Sequence, residues 1–117
     1  MSQRKRVLTP FGSYLTGLIE DAKILKCNFY TGAGITKPYF YETLVSCAPP
    51  RDVLERMIDL LEEVLGPDEK RRRKLYDLAA ASRGELPADI MDALLAAPDT
   101  WDDLRKTLHL PTAKPLN

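Results

Sequence analysis

The chain has 117 residues, 44% hydrophobic and 29% charged, with 17 basic and 17 acidic side chains and a formal net charge of zero. These values suit one soluble globular domain with a short appendage, and no apolar run reaches the ~18 residues of a membrane span. Two cysteines, Cys27 and Cys47, a single histidine and no Cys-x-x-Cys exclude a disulfide framework and a Cys/His zinc site, so a reduced, cytoplasmic protein is expected.

Neutrality hides an asymmetry. Residues 1–50 hold six basic and three acidic side chains, whereas residues 51–117 hold eleven and fourteen. An anionic partner would therefore meet the first half. The N-terminus, Arg4-Lys5-Arg6, is basic and is followed by no apolar stretch, so it reads as an arm (residues 1–9) and not as a secretory signal.

Thr9-Pro10 is a helix start, a polar cap followed by proline in the first turn. Phe11, Tyr14, Leu15, Leu18, Ile19 and Ala22 then recur at helical spacing, with Gly17 as the one weak position. A short apolar segment from Leu25 to Ala33, which includes Cys27, predicts a second helix closed by Gly34, the usual left-handed cap. Thr36 caps a third, from Lys37 to about Leu44, with Pro38 tolerated in its first turn. Ser46 to Pro50 is a loop. The stripe Val53, Leu54, Met57, Ile58, Leu61, Val64 and Leu65 marks a fourth helix, ended by Gly66-Pro67.

Asp68 and Glu69 open a fifth helix through Leu75, Leu78 and Ala79 to about Ser82, and Gly84 breaks it. Leu86-Pro87 starts a sixth with Ile90, Met91, Leu94 and Leu95. Thr100-Trp101-Asp102-Asp103 has the spacing of a capping box and predicts a last short helix through Leu104. Pro111 to Asn117 is expected to be a loose tail. No useful segment alternates with period two, so the expected class is all-α: a domain over residues 10–83, a helical extension over 84–110 and a tail over 111–117.

The second helix, the Gly34 turn, the Thr36 cap and the third helix follow one another as in a helix-turn-helix. Phe29, Ala33, Ile35, Phe40 and Thr43 are expected to form its shared core, which turns Lys37, Pro38, Tyr41 and Glu42 outward. From Phe11 to about Leu65 the sequence resembles the lambda-repressor and Cro-type regulators, the XRE family. The matching pieces are Phe11-Gly12-x-Tyr14-Leu15-x-x-Leu18, Gly34-Ile35-Thr36, Tyr39-Phe40 and the helix between Pro49 and Gly66; Leu75 to Ile90 resembles the tail of some small members. The departures are Thr16 and Ile19 where the family carries arginines, Tyr30 where it carries a small alanine, and Leu44-Val45-Ser46 where a Glu-x-Gly ends the recognition helix. A side chain as large as Tyr30 is expected to spread the two helices or to point outward.

The resemblance implies a five-helix domain that binds double-stranded DNA as a homodimer, regulates transcription and needs no cofactor. Its candidate contacts are Lys26, Thr36, Lys37, Pro38, Tyr41 and Glu42, together with Arg4, Lys5 and Arg6. Lysine suits guanine or phosphate, and glutamate accepts from the cytosine amino group. The arm can lie along phosphates or in a minor groove, or stay solvated. The alternative on the same fold is a protein-interaction module, antitoxin-like or a phage accessory protein, whose Tyr39-Phe40-Tyr41 face binds another protein. The run Lys70 to Lys74 suggests nucleic acid, but on a helix its charges spread around the circumference, with Asp68, Glu69 and Asp77 near enough to neutralise part of them. No paired catalytic residues, Gly-rich phosphate loop or nucleophile elbow is present, so no enzymatic activity is expected.

Overall fold

The computed structural model describes residues 7–111. Arg4, Lys5 and Arg6 lie outside the described residues, as does the tail from residue 112. Among the described residues the chain is all-helical: α1 (Pro10–Asp21), α2 (Lys26–Gly32), α3 (Lys37–Val45), α4 (Arg51–Leu65), α5 (Glu69–Arg83), α6 (Ala88–Ala96) and α7 (Trp101–Thr107), with a 3-10 turn at Pro98–Thr100. No helix there is long and apolar enough to cross a membrane.

The helix ends follow from the residues placed at them. Thr9 Oγ1 accepts from the Gly12 amide at 3.0 Å and starts α1. Asp68 Oδ1 accepts from the amides of Lys70 at 3.0 Å and Arg71 at 3.2 Å and starts α5. Gly66 and Gly84, both at positive φ, end α4 and α5. One expected cap fails. The Thr100 hydroxyl donates back to the Ala97 carbonyl at 2.7 Å, because the chain is already turning in the 3-10 segment, and it caps no amide of α7.

The core is built by α1 to α5. Phe11, Leu15 and Ile19 of α1 meet Phe29 of α2, Phe40 of α3, Met57, Ile58 and Leu61 of α4, and Leu75 of α5, all essentially inaccessible. Each such side chain is worth about 1.5–3 kcal/mol when taken fully from water. α1 packs on α3 and α5, and α2 packs on α3 and α4. Two glycines permit these approaches. A Cβ on Gly12 would lie 2.0 Å from the Leu44 carbonyl oxygen, so α1 and α3 touch backbone to backbone there. A Cβ on Gly32 would press on the Leu60 side chain at 3.1 Å.

The expected apolar stripe of α4 is too wide at its end. Val64 is 56% exposed, and Leu60, outside the expected stripe, packs against the core in its place. The basic run on α5 is largely engaged. Arg71 faces Asp68 and donates to the Gly66 carbonyl, Arg73 faces Glu69 at 3.8 Å, and Lys74 lies over the Tyr14 ring at 4.6 Å. Arg72 crosses to Glu62 of α4 at 2.6 Å, a pairing between helices that spacing along α5 does not suggest. α6 and α7 contain no buried residue at all.

Candidate functional site

The segment that positions the candidate residues is α2, its turn and α3. α2 ends where the Ile35 amide donates to the Tyr30 carbonyl and the Gly34 amide to the Thr31 carbonyl, both at 3.0 Å, with Gly34 at φ +74°. That left-handed residue reverses the chain within a few positions, which an L side chain resists. Arg56 of α4 adds a clamp that the sequence pattern did not reveal: its Nε donates to the Ala33 carbonyl at 2.8 Å, a cation at the C-terminal end of α2. Thr36 Oγ1 then accepts from the Tyr39 amide at 3.3 Å and starts α3, with Pro38 in the first turn.

The expected inner face forms. Phe29, Ala33, Phe40 and Thr43 are buried, Ile35 is half-buried, and the Thr43 hydroxyl donates to the Phe40 carbonyl at 2.6 Å. Tyr30 does not point fully outward. It is half-buried, its ring 5.6 Å from that of Phe40, so the two helices meet here through an aromatic pair. Cys27, expected on an apolar helix, is exposed, because α2 buries only Phe29 fully.

The outer face carries Thr36, Lys37, Pro38, Tyr41 and Glu42, all exposed. Lys26, at the first turn of α2, joins Pro38, Tyr41 and Glu42 around one open groove of about 330 Å³. Lys37 and Thr36 stand beside it at the start of α3 but do not line it. Leu44 and Val45 line it as well, and two more residues reach it from outside α2 and α3. Leu8 comes from the segment before α1, and Thr16 from α1, where its Oγ1 is buried with no hydrogen-bond partner among the described residues. Their approach depends on the Thr9 amide and hydroxyl, which donate to the Leu44 carbonyl at 2.9 and 3.1 Å and pin the start of α1 to the end of α3.

The charge on this face is sparse. Lys26 and Lys37 form no ion pair among the described residues, and the rest of the groove is apolar or aromatic apart from Thr16 and Glu42. The perturbed groups lie elsewhere. Burial pushes the Tyr14 phenol up, and burial with a hydrogen bond to Glu55 does the same to Tyr76. Among the described residues no group of three or more His, Cys, Asp and Glu is placed to hold a metal ion. No family model matches the chain, and comparisons with curated proteins and with solved structures find no match.

Proposed function

We propose that this protein binds double-stranded DNA in a sequence-dependent way and regulates transcription, with α3 entering the major groove as in the lambda-repressor and Cro-type helix-turn-helix regulators that the sequence resembles. The observation that carries the reading is the convergence of Lys26, Pro38, Tyr41 and Glu42 on one open face, with Lys37 at its edge and Phe40 holding the helix from behind. A helix N-terminus carrying lysine, tyrosine and glutamate outward supplies donors, an acceptor and apolar surface to base edges. A homodimer would present two such helices about one turn of DNA, roughly 34 Å, apart. The reading includes no cofactor and no catalytic step.

A second reading rests on the same groove. Its apolar and aromatic lining, with only two lysines nearby, also suits a protein partner that meets Tyr41 there; Tyr39 is exposed but lies outside the groove, and Phe40 is buried. A salt titration on random duplex DNA separates the two. DNA binding predicts that log K falls with log salt at a slope of about −2 or steeper, close to 0.9 per neutralised phosphate. The Lys37→Ala variant should keep its melting point, since exposed positions move stability by no more than about 0.5 kcal/mol. It should lose about 1–3 kcal/mol of binding to a selected site if it touches a base. No binding to duplex at low salt overturns the proposal and leaves the protein-partner reading.

A further inference from the structure

The groove beside α3 is more than a flat face for a duplex. Leu8, Pro38, Leu44 and Val45 give it apolar walls, and Tyr41 adds a ring. Core contacts hold those walls in place. The buried Phe40 ring meets the Tyr41 ring edge-on at 5.2 Å, and the hydrogen bonds from Thr9 to the Leu44 carbonyl fix the Leu8 segment against the end of α3. At about 330 Å³ the groove falls within the range of small-molecule sites, roughly 300–1,000 Å³, which are mostly apolar with a few placed polar groups.

Two of its polar groups lack partners. Lys26 forms no ion pair among the described residues. Among the same residues, the Thr16 hydroxyl alone is a buried side-chain group with no hydrogen bond, a costly state that folded proteins mostly avoid. Glu42 lines the groove too and sets a limit, because a multiply charged anion would meet its carboxylate.

We infer that this groove binds a small organic monoanion, one carboxylate on an apolar body the size of a single ring or a short alkyl chain. The body lies among Leu8, Leu44, Val45 and Tyr41, and the carboxylate meets the Lys26 ammonium. The Thr16 hydroxyl, brought to the groove wall by a change of χ1 rotamer, donates to a carboxylate oxygen. The regulatory consequence rests on the DNA-binding reading. A ligand seated on Lys26 and Tyr41 excludes the duplex, and each weakens the other by the same factor.

The test is a titration of the ¹⁵N-labelled full chain with sodium phenylacetate and sodium hexanoate, followed by amide chemical shifts at constant ionic strength. Both should give saturable shifts around the groove, with a Kd of about 1 mM or tighter. Phenylacetamide, which keeps the body without the charge, and acetate, which keeps the charge without the body, should each bind at least roughly tenfold more weakly. Lys26→Ala should lose a similar factor. Thr16→Val should bind several-fold more weakly without a lower melting temperature, since it removes the orphaned hydroxyl, and Thr16→Ser should restore binding. No saturable shift with either carboxylate overturns the inference. Equal binding of phenylacetamide overturns it too, as do Lys26→Ala and Thr16→Val variants that both bind like the parent. In a separate anisotropy measurement on labelled duplex, saturating phenylacetate should weaken DNA binding several-fold, and an unchanged affinity overturns the exclusion. A protein that binds no duplex at all overturns the DNA-binding reading, while the titration still decides the ligand site.

Discussion

The five-helix core and the α6–α7 hairpin are built from similar amino acids and reach opposite states. In the core, Phe11, Phe29 and Phe40 are shut away completely; in the hairpin, residues as apolar as Met91, Leu95 and Trp101 stay more than a third exposed. The described chain has a radius of gyration of 17.8 Å and extents of 57 × 42 × 21 Å. A compact domain of about 100 residues has a radius near 13 Å. The difference lies in contacts between elements. α1 to α5 all bury side chains in one shared cluster, whereas α7 packs on the adjoining 3-10 turn and α6 on that turn and α5. Apolar composition alone does not make a core; it needs a second surface within reach.

The strongest way to break the core side of this comparison is at Gly12. Its missing side chain lets the α1 backbone touch the Leu44 carbonyl, and a Cβ there would sit 2.0 Å from that oxygen. The obstacle is backbone, so no rotamer change relieves it. Gly12→Ala should cost at least about 3 kcal/mol, the upper end of overpacking penalties. A methyl group added to Gly17, further along the same helix, would meet nothing within 4 Å. Gly17→Ala should instead stabilise by about 0.5–1 kcal/mol through helix propensity. Urea unfolding of the pair checks both signs, and equal effects would show that the close approach of α1 to α3 does not limit the core.

That contrast also explains what was legible in the sequence. The helices themselves follow from spacing and punctuation: Thr9-Pro10, Gly34, Gly66 and Gly84 stand at their ends, and counting gives the α4 stripe except that Leu60 packs where Val64 was expected. The outward set Lys37, Pro38, Tyr41 and Glu42 follows because burying Phe40 and Thr43 leaves those positions outside. Long-range contacts were not legible. Gly12 meets a carbonyl more than thirty residues away, Arg56 clamps the end of α2 from α4, and Leu8 and Thr16 reach the groove because α1 packs on α3 and Thr9 bonds to Leu44. The Thr100 box failed for a local reason, since its pattern assumes an extended residue where the chain is already helical.

A smaller effect separates the two regions at their left-handed glycines. Gly34 at φ +74° joins two core helices, α2 and α3, and Gly84 at φ +69° sits where the core ends. A side chain at either position costs about 1–2 kcal/mol of local strain. At Gly34 the strain cannot be shed without disturbing Phe29 and Phe40, so Gly34→Ala should show the full loss in the melting temperature. At Gly84 the chain beyond can unwind. Gly84→Ala should therefore move the core melting point by less than half as much. Equal shifts in a thermal scan would mean that the hairpin and the core melt as one unit.

The smallest expected effect lies on the tether between the regions. The Arg51 guanidinium, hydrogen-bonded to both oxygens of Asp92, holds that carboxyl below the usual carboxylate range, and Asp92 in turn raises the already basic guanidinium. A carboxylate whose pKa is lower when folded stabilises the folded arrangement above its unfolded value, near 3.9, and loses that contribution as pH falls through the folded value. Both groups are solvent-exposed, so the energy is that of a surface pair and is weakened by salt. The expected signature is therefore local. As pH drops from about 5 to below the carboxylate range at low salt, amides of α6 should lose hydrogen-exchange protection before those of α1 or α4. Asp92→Asn should show the reduced α6 protection already at neutral pH and lose the acid dependence assigned to this pair. If acid releases α6 and α4 together in the parent protein, the tether is part of the core's cooperative unit, and the boundary between the two regions belongs beyond α6, at the 3-10 turn.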